Sequence, residues 1–319
     1  MSYIILVVGF ILLIKGADLF VDGSASIAKK LGIPSVIVGL TIVSLGTSAP
    51  ELAVSLISSL KGSNEIAIGN VVGSNLFNAL IVLGITAIIT PLLIDKITIK
   101  KDFLVNNLIT ILLFFLTFDS IIFSKSNLIS RVDGIILLVL CIAYMVYLVV
   151  SAKKGNIKED NNEVININIM QKVLFIIIGI LGIIFGGKLV VDSATTIAYS
   201  LGMSEKLVGL TIVAMGTSLP ELVTSVVAVL KGENEIALGN VLGSNTFNIL
   251  LILGASAVIT PIPVSQTLAV DFIVLIGVTL LLGFLIFFNK EKIKKLTRTE
   301  GLLLVAIYVA YTIYIVIRN

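Results

Sequence analysis

The chain has 319 residues, of which 57% are hydrophobic and 13% charged, and its mean hydropathy is +1.15. Soluble domains carry about a quarter charged residues, so this composition excludes a soluble globular protein and points to an integral membrane protein. The net charge of +3 comes from dispersed loop lysines and gives no nucleic-acid footprint.

In chain order, apolar runs long enough to cross hydrocarbon fall at about 3–22, 36–60, 66–89, 103–118 and 134–150, then at 173–193, 207–230, 236–259, 267–288 and 301–317. The first lacks a basic leader and a small-residue cleavage site, so it reads as a span and not as a cleaved signal. The stretch 151–172 between the two sets of five contains Lys-Lys-Gly-Asn-Ile-Lys-Glu-Asp-Asn-Asn-Glu and predicts a solvated connector. The domain reading is therefore a five-helix unit at 1–150, a linker at 151–172 and a second unit at 173–319.

Inside the second span stands Gly46-Thr47-Ser48-Ala49-Pro50-Glu51, and inside the seventh Gly216-Thr217-Ser218-Leu219-Pro220-Glu221. An ionised side chain near mid-bilayer costs at least about 2.5 kcal/mol and must face a cavity or a partner. Proline removes one backbone donor and frees a carbonyl one turn back, which predicts a broken helix in each half. The third and eighth spans carry Asn70, Ser74 and Asn78, and Asn240, Ser244 and Asn248, spaced by four and so on one helical face. Ser48, Glu51 and Ser55, with Ser218, Glu221 and Ser225, form a second pair of stripes. Neighbouring glycines allow close helix approach and let carbonyls near Ser44, Thr47, Ala214 and Thr217 turn toward a ligand.

Residues 38–84 and 208–254 align at a constant offset of 170 with identity at 31 of 47 positions and no gap, so the halves are duplicated. Weaker matches extend outward, among them Asp133-Gly134 with Glu300-Gly301. An odd number of spans per copy inserts the second copy upside down, which predicts an inverted repeat with both broken helices at the midplane. With the N-terminus outside, one face receives 15 basic residues and the other 5, with Lys15 and Lys188 left within spans. The positive-inside rule then predicts both termini outside and the linker cytoplasmic, in the plasma membrane.

Histidine is absent and the single cysteine, Cys141, sits in an apolar run, so zinc, Ser-His and disulfide chemistry are removed. Interhelical hydrogen bonding explains any one of the hydroxyls and amides taken alone. Glu51 and Glu221 differ, because no basic residue shares their spans, and a structural ion pair would have to come from Lys15 or Lys188. Without such a pair the counter-charge is mobile, a proton or a metal ion, and the oxygen-rich surroundings favour a hard metal cation. Two carboxylates are balanced by one divalent ion or two monovalent ions, with a third adding net charge, and occupants that compete for the same oxygens imply antiport.

At these residues the chain resembles the cation/calcium antiporter superfamily, most closely the sodium/calcium exchangers with two α-repeats. The resemblance rests on the two GTSxPE motifs together with Gly73-Ser74-Asn75-Leu76-Phe77-Asn78 and Gly243-Ser244-Asn245-Thr246-Phe247-Asn248. It implies that Glu51 and Glu221 ligate calcium, that Thr47, Ser48, Ser74, Thr217, Ser218 and Ser244 supply further oxygens to sodium or calcium, that backbone oxygens of Ser44 and Ala214 contribute, and that Asn78 and Asn248 line the centre. It also implies exchange of three sodium ions for one calcium ion, and a first span in each half that moves across a more rigid core. Potassium-dependent relatives, and some independent ones, carry aspartate at the position of Asn248; the asparagine favours potassium independence. The linker is too short for a calcium-sensing regulatory domain. No cofactor and no obligate protein partner is expected, only the two ions and the bilayer. The rival readings are proton/calcium exchange, a passive cation channel, and an intramembrane protease built on the two carboxylates, although no GxGD pattern is present.

Overall fold

The computed structural model describes residues 1–62, 64–93, 97–118, 127–154, 168–203, 214–287 and 295–318. The helices are α1 (Ser2–Leu31), α2 (Ser35–Thr47), α3 (Ala49–Leu60), α4 (Asn64–Phe77, continued to Leu83–Ile89), α5 (Ile97–Thr117) and α6 (Arg131–Lys154). After the linker follow α7 (Ile169–Ser200), α8 (Ala214–Gly216), α9 (Leu219–Leu230), α10 (Asn234–Ile259), α11 (Leu268–Phe287) and α12 (Arg298–Arg318). The linker expectation falls mostly outside the described residues, as do residues 207–213 of the seventh span.

Seven described helices are long and apolar enough to cross a membrane, and α2 with α3 make an eighth if the bent pair is one span. Two of the ten expected spans fall short on this measure. Helix α5 carries Lys100, Lys101 and Asp102 close to its start, and α9 is described over only 12 residues.

Burial sorts the helices into a centre and a shell. The apolar stretches of α4 and α10 are 72% and 78% buried, against 33% for α1, 28% for α7, 22% for α6 and 11% for α12. The sequence explains this: α4 and α10 carry the asparagine and serine stripes, which cannot face lipid, whereas the shell helices carry no such stripe. In the shell, α1 and α7 pack with glycines in contact. A Cβ on Gly16 would lie 2.7 Å from the Ile183 nitrogen, and one on Gly186 would lie 2.5 Å from the Leu13 nitrogen. Gly9 meets Leu189 and Val190, whereas Gly23 meets Lys172 and Ile176, so these two helices run antiparallel.

The halves also hold each other reciprocally. Gly134 of α6 packs on Gly254 and Val258 of α10, and Gly301 of α12 packs on Gly84, Ala87 and Ile88 of α4. Both shell helices begin with the same capping box: Asp133 accepts from the Ser130 nitrogen (2.8 Å) and Glu300 from the Thr297 nitrogen (2.6 Å). Two short antiparallel ribbons tie the halves at their loops. Strand β1 (Leu92–Leu93) pairs with β4 (Lys295–Leu296), and β2 (Leu128–Ile129) pairs with β3 (Ile262–Pro263). Arg298 donates to the Ile89 carbonyl at one end of α4, and Thr260 donates to the Ser59 carbonyl near the other. Ile66–Ile89 spans 24 residues, or about 36 Å at the helical rise, so the loops gather into two sets a membrane thickness apart.

Candidate ion-binding site

The site begins with backbone chemistry. Pro50 and Pro220 occupy the first turn of α3 and α9, where a missing N–H is tolerated. The i−4 carbonyls, Gly46 and Gly216, lose their donor. The helices break at that point: α2 and α3 meet at 48°, with Ser48 at φ −82°, ψ 8°, and Ser218 repeats the conformation at φ −92°, ψ 5°. Each break puts a serine and a glutamate at the start of a new helix, with the glutamate in its first turn. Further irregularity flanks them, as π-helical turns at Gly39–Val43, Asn78–Val82 and Asn248–Leu253. Such turns, which widen the helix and release hydrogen bonds, are frequent at functional sites.

Glu51 and Glu221 are fully buried. Ser48 Oγ donates to Glu221 Oε1 at 2.8 Å, and Ser218 Oγ donates to Glu51 Oε1 at 3.0 Å. Each carboxylate is thus held by the serine of the other half. Ser74 and Ser244 approach the same two oxygens from α4 and α10, at 3.5 and 3.4 Å. The six hydroxyl and carboxyl groups therefore form two triplets, Ser48–Glu221–Ser244 and Ser218–Glu51–Ser74, each drawn from both halves. Among the described residues no cation pairs with either glutamate, and Lys15 and Lys188 are exposed on the outer shell.

Around these triplets lies an amide frame. Thr47 Oγ1 donates to Asn240 Oδ1 (3.0 Å) and Thr217 Oγ1 to Asn70 Oδ1 (3.2 Å). Asn70 and Asn240 in turn donate to Ser55 and Ser225 and to the Glu51 and Glu221 carbonyls, which stitches each broken helix to its neighbour. Asn75 Nδ2 donates to the Asn245 carbonyl (3.2 Å) and Asn245 Nδ2 to the Asn75 carbonyl (3.3 Å). That orientation leaves only Oδ1 of each facing the next asparagine, so Asn78 and Asn248 must present their NH2 groups, at 3.1 and 3.0 Å. Their own Oδ1 atoms are left over.

The leftover atoms identify what the site accepts. Glu51 Oε2, Glu221 Oε2, Asn78 Oδ1 and Asn248 Oδ1 are buried oxygens with no hydrogen-bond donor. An unpaired buried acceptor costs about 1–3 kcal/mol and more if charged, and two ionised carboxylates with neither a cation nor a proton cannot be stable in a dry interior. An electropositive guest beside any of these oxygens would remove its penalty. Carboxylate, amide and hydroxyl oxygens with no nitrogen or sulfur suit a hard cation. No cluster of three or more His, Cys, Asp or Glu exists among the described residues, so the donor set is carried largely by neutral oxygens.

The sodium/calcium exchanger protein family matches residues 1–150 and 172–317. This chain belongs to that family. It is 36% identical to the putative antiporter CaxA of Alkalimonas amylolytica, over 97% of this chain and 96% of that protein. It is 32% identical to the sodium/calcium exchanger MaX1 of Methanosarcina acetivorans, over 98% and 97%. A solved structure of the sodium-calcium exchanger NCX_Mj matches with a TM-score of 0.82 and 34% identity, covering 97% of this chain and 96% of that one. The exchanger family is one of transporters, and the chain is accordingly a membrane protein of that kind.

Of the residues expected at the site, Glu51, Glu221, Ser48, Ser218, Ser74 and Ser244 are brought into direct contact, and Thr47, Thr217, Asn78 and Asn248 frame them. Ser44 is buried beside them, but its carbonyl accepts from the Ser48 nitrogen at 3.0 Å and from Thr47 Oγ1 at 3.3 Å. Ala214 opens α8 at the edge of the described residues, just before the second break. Sequence reasoning did not single out Asn75 and Asn245, which fix the amide frame. The signal was present in their recurrence at offset 170 inside the duplicated Gly-Ser-Asn triplet.

Proposed function

We propose that this chain is an electrogenic sodium/calcium antiporter that exchanges three sodium ions for one calcium ion by alternating access, without potassium. The observation that carries the reading is the set of four buried oxygens without donors, two of them carboxylate oxygens contributed by opposite halves. In this reading Glu51 and Glu221 bind calcium together through their free Oε2 atoms. Ser48, Ser74, Ser218, Ser244, Thr47, Thr217, the Asn78 and Asn248 side chains and the Ser44 and Ala214 carbonyls supply the remaining oxygens to calcium or sodium.

The two ions cannot share the same carboxylates, so release of one permits entry of the other, and three sodium charges against two give a net current. The ten-span inverted arrangement, with both termini outside and the linker cytoplasmic, is part of the same proposal. It is supported by the two sets of loops at opposite ends of α4 and by the antiparallel packing of α1 on α7. Potassium independence is read from Asn248, which supplies an amide oxygen and no further charge.

The test is flux. Proteoliposomes loaded with sodium and diluted into sodium-free medium should accumulate radioactive calcium, with a rate that rises when an ionophore dissipates the interior-negative voltage left by the net outward charge. Uptake driven by a proton gradient and indifferent to sodium would replace this reading with proton/calcium exchange. Calcium movement without any counter-ion would mark a channel. Asn248→Asp adds a carboxylate beside the site, and the expected outcome is a new sensitivity of the exchange rate to potassium.

A further inference from the structure

Among the described residues outside the ion site each half buries one more acidic side chain, and the two are treated differently. Asp271, 3% exposed near the start of α11, accepts from Tyr311 Oη at 2.9 Å and from both Arg318 nitrogens at 3.1 and 3.2 Å. Its charge is matched by a two-pronged guanidinium. Asp102, 1% exposed on α5, has the corresponding tyrosine, Tyr144, at 3.5 Å from Oδ1. Its Oδ2 is buried without a partner. Gly134 and Gly301, like Tyr144 and Tyr311, are 167 residues apart, and the same spacing places Ser151 where the second half has Arg318.

Among the described residues no fixed cation replaces it. Facing Asp102 from α6 are Tyr144 and Tyr147, and Thr246 and Phe247 stand beside them on α10. Beyond Asp271, α11 carries no charged residue up to Phe287. On α5 itself Lys101 is exposed and Lys100 half-buried, and Lys153 on α6 is exposed; none pairs with Asp102 among the described residues. A metal ion needs about six or more oxygens, whereas the Asp102 carboxyl and the Tyr144 phenol, even with the amide oxygens of Asn106 and Asn107 whose NH2 groups are held by Thr246 and the Phe103 carbonyl, supply fewer. That donor set suits a proton.

We propose that Asp102 is a proton-binding site, separate from the ion site, whose buried carboxyl carries the proton that takes the place of the Arg318 guanidinium in the other half. Loss of that proton leaves an unpaired buried charge between α5 and α6. Through the Asn106 to Thr246 hydrogen bond (3.3 Å) it also disturbs α10 next to Asn248.

The test is infrared spectroscopy of the purified full chain in lipid bilayers at neutral pH, which does not depend on the transport reading. The carboxylic-acid C=O band of the parent protein should lose one component in D102N and none in D271N. S151R, which supplies the missing guanidinium, should remove the same component while leaving Asp102 in place. An unchanged band in D102N overturns the proposal; if D102N does not fold, persistence of the component in S151R overturns it. In flux measurements the parent should slow on the alkaline side, where the proton is lost, and D102N should lack that limb. An identical alkaline limb in D102N removes the link between Asp102 and α10.

Discussion

The centre and the rim of this molecule treat the same duplication in opposite ways. At the centre, contacts come in pairs with nearly equal lengths: Ser48 to Glu221 at 2.8 Å and Ser218 to Glu51 at 3.0 Å, Asn78 to Asn245 at 3.1 Å and Asn248 to Asn75 at 3.0 Å. At the rim the copies have parted. Lys231 pairs with Asp18 at 2.7 Å and Lys172 with Asp22 at 2.7 Å, but the counterparts of the first pair, 170 residues away, are Lys61 and Lys188, two like charges. In the proposed function one cation meets ligands from each half, and that requires a dimension shared by both. Nothing imposes it where each half meets a different membrane face.

The largest effect should follow from breaking the central pairing. Glu51→Gln or Glu221→Gln removes one of two buried negative charges, a change of the order of 3 kcal/mol in a dry site, or about 100-fold or more in calcium affinity. Calcium flux should be abolished in both variants while the protein remains folded by size-exclusion chromatography and thermal melting. Because the serine bonds are reciprocal, the two variants should be equally defective. A large difference between them would show that the halves do not share the ion.

A smaller effect separates the ligands from their frame. Asn245→Ala leaves Asn78 without the acceptor that orients it and exposes the Asn75 carbonyl, at about 1–3 kcal/mol for the unsatisfied groups. The expected result is a lowered melting temperature together with a calcium affinity reduced by roughly tenfold. Asn75→Ala should give the mirror outcome through Asn248. Unchanged binding in either would mean that Asn78 and Asn248 are oriented without the frame.

These residues also show how far the sequence was readable. The duplication, the two carboxylates and the polar stripes were evident from residue type and spacing, because lipid tolerates such groups only where something requires them. The break at each proline was legible for the same reason. The partner of each serine was not. Ser48 and Glu51 share a helical face, which suggests neighbours on one helix, but the hydrogen bond runs to Glu221, a choice made by how the halves interlock. Asn75 lies between Ser74 and Leu76 off the striped face, and its role depends on Asn245 meeting it across the interface. Lys15 and Lys188 were the only basic candidates for neutralising the glutamates, and the α1–α7 packing turns both outward. The start of α5 reads as a loop-side cluster of Lys100, Lys101 and Asp102, and only the fold buries the last of these.

The weakest effect is at the rim, where the ion pairs Asp18–Lys231 and Asp22–Lys172 fasten α1 to the ends of α9 and α7. Side chains 21–46% exposed form these pairs, so each is worth no more than about 1 kcal/mol. Both lie one turn apart in the second half of α1, and the like-charged Lys61 and Lys188 supply no matching fastening on the other half. If α1 shifts during transport, the pairs bias it toward the state seen here, in which Ser24, beside them, is fully buried. A cysteine at Ser24, in a Cys141→Ser background, should react slowly with a membrane-impermeant thiol reagent. Adding Asp18→Asn and Asp22→Asn should speed that reaction by roughly tenfold, about 1.4 kcal/mol for the two pairs together. If the acidic-pair variant reacts no faster, those contacts do not hold α1, and the divergence of the rim has no part in the conformational balance.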